Sequence, residues 1–287
     1  MPLRSYLFVP ADSERKLARG IESGADALIL DLEDSVAAAN RPTARKLARE
    51  FLDTHGPERI GRWVRVNPLA SGLALDDLAA TVGGRPDGIL LPKCVPDDVR
   101  TLDHYLAALE TAAGAPVGGI RIIAIATETP EAVFALGNYR GSSPRLDGIT
   151  WGAEDLAACL GANNRTIDGA YDGPYQLARS LCLLAAGAAG VAAIDTIYTD
   201  FRDPAGLAAE CAAAKRSGFT AKMAIHPAQL GAINEAFSTS AEERQWAERV
   251  IAAFAAQPNA GTLALDGKMI DKPHLVLARR LLGLPAA

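Results

Sequence analysis

The feature that most constrains this chain is a series of eight short apolar runs at near-regular intervals, most of them ending in a residue able to do chemistry. In order they are YLFVP (6–10), ALILDLED (27–34), WVRVN (63–67), GILLPK (88–93), IIAIATE (122–128), GITWGAED (148–155), AIDTIYTD (193–200) and AKMAIHP (221–227). A strand buried on both faces reads as a continuous apolar run, because both of its side-chain rows lie in a core. Helical segments fill the intervals. Asp12 opens residues 13–22 and Gly24 closes them, while Pro42, Pro96, Pro130, Pro174, Pro204 and Pro227 mark the starts of later ones. Strand and helix alternate eight times by about residue 236, and parallel right-handed units in that number close into a (β/α)8 TIM barrel. An open doubly wound sheet would call for a glycine-rich phosphate loop after the first run, and PADSER is not one.

Residues 1–238 are assigned to the barrel and 239–287 to a C-terminal extension. The extension reads as an amphipathic helix over 241–255, a short strand pair within QPNAGTLALDGKMIDKPH and a final helix over 275–282. Its polar centre (Asp266, Gly267, Lys268, Asp271) favours a lid across the barrel mouth over a brace beneath it. A net charge of -5 without a basic stripe argues against a nucleic-acid partner but leaves an anionic substrate open. Cys94, Cys159, Cys182 and Cys211 are scattered without a CxxC pair, so reduced thiols are expected rather than a disulfide framework or a zinc site. Arg179 and Ser180 interrupt the apolar stretch 177–194, which reads as a buried helix and a strand and not as a membrane span. The first run begins almost at Met1, so a cytoplasmic protein without a signal peptide is expected.

Polar residues at the C-terminal ends of barrel strands face the active-site mouth. Glu128 and Asp155 end the fifth and sixth runs, and adjacent parallel strands lie about 4.8 Å apart, so the two carboxylates converge. Two carboxylates with open positions suit Mg2+; the competing reading makes both of them helix N-caps, and Glu154 is a rival ligand. Arg65, between Val64 and Val66, needs an anion. That anion is either a substrate carboxylate, which its fork matches, or the acids of DLED, Asp31, Glu33 and Asp34. Asp31 and Glu33 fall on one face and are expected to balance charge with Arg65, Lys93 or Arg4 rather than to catalyse. Lys93 invites a Schiff-base reading, which nearby acids weaken by raising its pKa. His226 before Pro227 reads as a capping or core histidine rather than a base.

Taken in order, RSYLFVP, SGADALILDLEDSV, WVRVN, GILLPK, ATETP, WGAEDL, GFTAKMAIHPAQL and LDGKMIDKPH resemble the motifs of the citrate lyase β-subunit-like family, which includes malyl-CoA, citramalyl-CoA and β-methylmalyl-CoA lyases. The resemblance spans nearly the whole chain. It implies Mg2+ held by Glu128 and Asp155, substrate bound by Arg65 and Glu128, and Asp271 carried into a neighbouring subunit's barrel as the acid/base residue. The extension would then be an intersubunit lid and the protein a homo-oligomer, a trimer or hexamer. CoA would sit near the first strand–helix loop, with Arg19 on the position of a family lysine and Arg4 nearby. VPADSER departs from the family's VPG, which shifts the CoA contacts towards Arg15 or Lys16 or points to a different acyl carrier. The implied activity is Mg2+-dependent cleavage of a short 3-hydroxy-dicarboxylyl-CoA thioester to acetyl-CoA and a 2-oxo acid (glyoxylate or pyruvate), or the reverse condensation. The alternatives are the β-subunit of citrate lyase acting on an acyl-carrier thioester, a CoA-independent class II pyruvate aldolase, and a non-catalytic ligand-binding barrel.

Overall fold

The computed structural model describes residues 3–56, 60–167 and 169–284, which fall into two compact units, 3–237 and Ser238 onward. The first unit runs β1 (Ser5–Pro10), α1 (Glu14–Ile21), β2 (Ala27–Asp31), α2 (Arg41–Thr54), β3 (Gly61–Arg65), α3 (Ala74–Thr81), β4 (Gly88–Leu91) and α4 (Pro96–Ala112). It continues with β5 (Arg121–Ile125), α5 (Pro130–Ala135), β6 (Leu146–Thr150), α6 (Ala153–Leu160), α7 (Gly173–Ala189), β7 (Ala192–Asp195), α8 (Pro204–Ser217), β8 (Ala221–Ala224) and α9 (Leu230–Phe237). Each strand pairs in parallel with its sequence neighbours and β8 returns to β1, closing the eight-stranded barrel. The fold is the expected (β/α)8 TIM barrel. Among the described residues no helix is long and apolar enough to cross a membrane.

Strand alternation sorts side chains into two cores. Tyr6, Ile29, Trp63, Ile123, Ile194 and Met223 pack together inside the barrel. Leu7, Leu28, Val64, Ile122, Ile149 and Ala193 pack outside, in the larger core that includes helix residues such as Leu47, Val99 and Cys211. Counting two residues on from the inner set sends Asp31, Arg65 and Thr196 inward at their strand ends. Thr150 joins them, being paired with Ile125 and Ile194. Prolines stand in the first turns of α2, α4, α5, α7 and α8, where a missing N–H costs nothing. One local expectation fails. Ser13, not Asp12, caps α1 by accepting from the Lys16 N–H, and the helix ends at Glu22 before Gly24; Asp12 instead accepts from Asn40 Nδ2. The four cysteines are free, three of them buried and Cys159 exposed.

The second unit runs α10 (Ala241–Ala256), β9 (Thr262–Leu265), β10 (Lys268–Asp271) and α11 (Lys272–Leu281). The two strands form an antiparallel hairpin whose turn residues, Asp266 and Gly267, have φ of 53° and 74°. Asp-Gly suits such a turn because both central residues must be left-handed. Ala247, Val250, Phe254, Ile270 and Ala278 form a small core of its own.

Candidate active site

A cavity of about 230 Å³ opens at the C-terminal end of the barrel, lined by Asp31, Arg65, Glu128, Thr150, Asp155 and Thr196 together with apolar residues such as Phe8, Ile125 and Met223. Glu128 lies just beyond β5 and is 2% exposed. Its seat depends on Gly152 at the start of α6, where a Cβ would stand 2.7 Å from Glu128 Cγ. The Gly152 N–H donates to Thr127 Oγ1 at 3.0 Å, tying the ends of β5 and β6 together. From the other side the Lys93 N–H donates to Glu128 Oε2 at 2.5 Å. Lys93 reaches it with φ 48°, a left-handed conformation uncommon for a residue with a side chain and concentrated at functional sites.

Neither carboxylate is an N-cap. Thr129 caps α5 by accepting from the Ala132 N–H, Gly152 occupies the cap of α6, and Asp155 lies inside that helix's first turn. The capping alternative for Glu128 and Asp155 therefore falls away. Burial holds the Glu128 carboxyl well above the usual range, the charge of Asp155 pushes it further in the same direction, and Lys93 offsets only part of this. Glu154 Oε1 accepts from Asn164 Nδ2 at 2.8 Å and so is engaged by the loop after α6.

Arg65 is docked on the acids of DLED. Its Nε and Nη2 donate to Asp31 at 2.7 and 2.6 Å, Nη1 lies 2.9 Å from Glu33 Oε2, and the guanidinium stacks over Phe8. Burial would raise the Asp31 carboxyl, but Arg65 outweighs it and holds the group below its ordinary value. Lys93 Nζ lies 2.5 Å from Glu33, 3.1 Å from Asp34 and 3.2 Å from Asp155. Burial would lower the Lys93 pKa, yet Glu33, Glu128 and Asp155 prevail and raise it, which keeps the amine protonated and unfit as a Schiff-base nucleophile. Five carboxylates (Asp31, Glu33, Asp34, Glu128, Asp155) thus surround two cations, Arg65 and Lys93. With all ionised, that is an excess of three negative charges, which a divalent cation would relieve. Among the described residues no group of three His, Cys, Asp or Glu side chains is arranged to hold a metal alone. Two protein carboxylates plus substrate and water oxygens remain as a donor set, and that set suits a hard cation.

The structure does not bring the two expected CoA residues to this cavity. Arg4 precedes β1 and so stands at the N-terminal end of the barrel, about 20 Å of strand away from the mouth. There its Nε and Nη2 fork Asp26, each at 2.8 Å, so it neither faces the first strand–helix loop nor balances DLED. Arg19 is exposed in the last turn of α1, at the end of that helix remote from the loop. Asp271 belongs to the second unit, at the junction of β10 and α11, with His274 Nδ1 2.6 Å from its Oδ1. His226 caps a 3-10 turn, accepting from the Ala228 N–H, as a capping histidine would.

The sequence reading missed a buried network behind the mouth. Lys222, fully buried in β8 and facing outward, places Nζ 3.0 Å from Asp195 Oδ2 and 2.8 Å from Glu210 Oε1. Asp195 also accepts from Arg179 Nε at 3.0 Å and from Trp151 Nε1 at 2.8 Å. The signal was present: one acid in AAIDT and one lysine in AKMA, in adjacent runs, are charges that buried strands must pair.

A family model described as HpcH/HpaI aldolase/citrate lyase matches residues 4–227. A (3S)-malyl-CoA thioesterase of Cereibacter sphaeroides is 37% identical over 283 residues, covering 98% of this chain and 94% of that relative. The citrate lyase subunit beta of Escherichia coli is 35% identical over 282 residues, covering 97% of this chain and 92% of its own. Among solved structures, CitE from Mycobacterium tuberculosis in complex with magnesium, acetoacetate and coenzyme A matches with a TM-score of 0.77 at 33% identity, covering 98% of this chain and 97% of that one.

Proposed function

The chain belongs to the HpcH/HpaI aldolase/citrate lyase family, and from that premise we propose that it is a Mg2+-dependent carbon–carbon lyase. Its substrate is a short 3-hydroxy-dicarboxylyl-CoA thioester of the malyl-CoA or citramalyl-CoA type, cleaved to acetyl-CoA and glyoxylate or pyruvate, or formed from them. The observation that carries this reading is the pair Glu128 and Asp155, uncapped and under-neutralised at the rim of a cavity sized for a small oxo acid.

Glu128 and Asp155 would hold Mg2+ through carboxylate oxygens. Bound there, the metal supplies Lewis acidity to the substrate oxygen that is alcohol in the thioester and carbonyl in the product. Arg65 gives two of its five N–H groups to Asp31 and pairs in charge with Glu33, and the remaining N–H groups are offered to a substrate carboxylate. Lys93 holds Glu128 from its main chain and shares its ammonium among Glu33, Asp34 and Asp155, which keeps the rim charges in place. Asp271, delivered by a neighbouring subunit's extension acting as a lid, takes the proton from the substrate hydroxyl, with His274 beside it to orient the carboxylate. Arg15 and Lys16 are exposed in the first turn of α1, next to the first strand–helix loop, and offer positive charge to the CoA phosphates.

Thioester hydrolysis is the second reading, favoured by the relatives named (3S)-malyl-CoA thioesterase. Products separate the possibilities. Malyl-CoA and citramalyl-CoA with Mg2+ are expected to give glyoxylate or pyruvate together with acetyl-CoA. Malate or citramalate with free CoA and no oxo acid would replace the lyase by a hydrolase. Turnover confined to an acyl-carrier thioester would make the chain a citrate lyase β-subunit, and cleavage of a hydroxy-keto acid without CoA would make it a class II aldolase.

Gly152→Ala tests the seat of Glu128 directly. The added methyl overlaps Glu128 Cγ, and overpacking of this kind costs about 1–3 kcal/mol. If that strain is relieved by moving the carboxylate, Mg2+ affinity measured by calorimetry should fall by roughly fivefold to a hundredfold. Unchanged affinity would separate Glu128 from the metal.

A further inference from the structure

Thr196 carries a hydroxyl that the protein itself does not use. It stands one residue past β7, is 4% exposed and lines the mouth cavity. Its side-chain oxygen makes no hydrogen bond among the described residues and is not sealed into the wall, so it stands open to the cavity. Valine would have the same shape and would suit a site bordered by Ile194 below and Ile197 above, so the oxygen needs an explanation. The position is also held firmly. Asp195, immediately before it, faces outward and is fixed by Lys222, Arg179 and Trp151, so the strand end that presents Thr196 inward cannot drift. Strands β3 and β7 are four apart in a ring of eight, which puts Thr196 across the mouth from Arg65.

We propose that Thr196 is a substrate-binding residue whose hydroxyl donates a hydrogen bond to a carboxylate oxygen of the bound 2-oxo acid, from the wall opposite Arg65. This rests on the lyase reading, since it takes the occupant of the cavity to be an oxo acid. A carboxylate is the acceptor of choice. It is the charged end of that ligand, and a neutral hydroxyl satisfies it without adding another charge to a rim already crowded with them.

The test compares Thr196→Val with Thr196→Ser in the full-length chain, measuring pyruvate and glyoxylate binding by calorimetry in the presence of Mg2+, and melting temperature in their absence. Thr196→Val is expected to weaken oxo-acid binding about tenfold to a hundredfold, the size of a hydrogen bond to a charged group, while Thr196→Ser stays within about threefold of wild type. Tm should hold or rise in Thr196→Val, because a hydroxyl without a protein partner contributes nothing to the free fold. A merely structural threonine would move Tm and leave the valine-to-serine ratio of affinities near one. Equal affinity of wild type and Thr196→Val overturns the contact and leaves the lyase reading standing. A wild type that binds no oxo acid with Mg2+ overturns both.

Discussion

Asp155→Ala is expected to remove Mg2+-dependent turnover, by at least about a thousandfold, without unfolding the barrel. Losing one of two protein ligands forfeits several kcal/mol of transition-state charge stabilisation, and about 4 kcal/mol is already a thousandfold in rate. The structural cost is small by comparison. Asp155 is one-third exposed and contributes a first-turn acid to α6 and a 3.2 Å ion pair with Lys93. A first-turn acid is worth about 0.3–1 kcal/mol and an exposed pair up to about 1 kcal/mol, so Tm should fall by no more than roughly 2–8 °C. Lys93 keeps Glu33 and Asp34, so its ammonium is not stranded. Glu128 supplies a second readout. Its carboxyl is held high first by burial and then by the charge of Asp155. It must shed its proton to serve as a ligand, so Mg2+ affinity should weaken as pH falls. Removing Asp155 should move that dependence of any residual binding to lower pH. Turnover within tenfold of wild type would end the two-carboxylate reading.

What could be read in advance divides by the physics involved. The eight strands were legible because burial on both faces writes an apolar run, and the prolines marked helix starts because only a first turn tolerates them. The convergence of Glu128 and Asp155 followed from strand adjacency, and the cost of an unpaired buried charge required an anion for Arg65 without choosing between substrate and DLED; the structure supplies Asp31 and Glu33. Arg4 failed for a geometric reason. Nearness in sequence to the first loop is not nearness in space, because β1 lies between them and carries the chain from one end of the barrel to the other. Ser13 displaced Asp12 as a cap by one residue, a distinction that turns on backbone angles and not on residue type, since both side chains can cap. Gly152 could not be singled out among 26 glycines, because its need for an absent Cβ arises only once Glu128 folds over it.

Asp195→Ala is expected to be the most destabilising single change in the barrel. Lys222 is fully buried and Arg179 partly so, and removing the carboxylate between them leaves two cations to share what remains. Breaking a buried pair from one side costs about 3–5 kcal/mol. Lys222 keeps Glu210 at 2.8 Å, so the lower end is the better estimate, and a Tm fall of roughly 6–12 °C follows. Replacing both partners should cost less than Asp195→Ala alone, because Lys222→Met in the same chain withdraws the stranded charge and fills its place with an apolar side chain. The pH signs agree. Burial alone would raise the Asp195 carboxyl, but Lys222 and Arg179 hold it low, so its contribution is present above the unfolded value of about 3.9 and is lost as pH falls through the lower folded value. Burial alone would lower Lys222, but Asp195 and Glu210 hold it high, so its contribution is present below about 10.4 and is lost as pH rises through the higher folded value. The excess stability of wild type over Asp195→Ala should therefore be flat from about pH 5 to 9 and shrink at both extremes. Asp195 also anchors Trp151, which stands directly before Gly152, so loosening it should weaken Mg2+ binding as well as the fold. Thermal melts across pH, with Mg2+ titrations below the melting range, would separate the two effects. A variant as stable as wild type would mean that the network balances its own burial and anchors nothing.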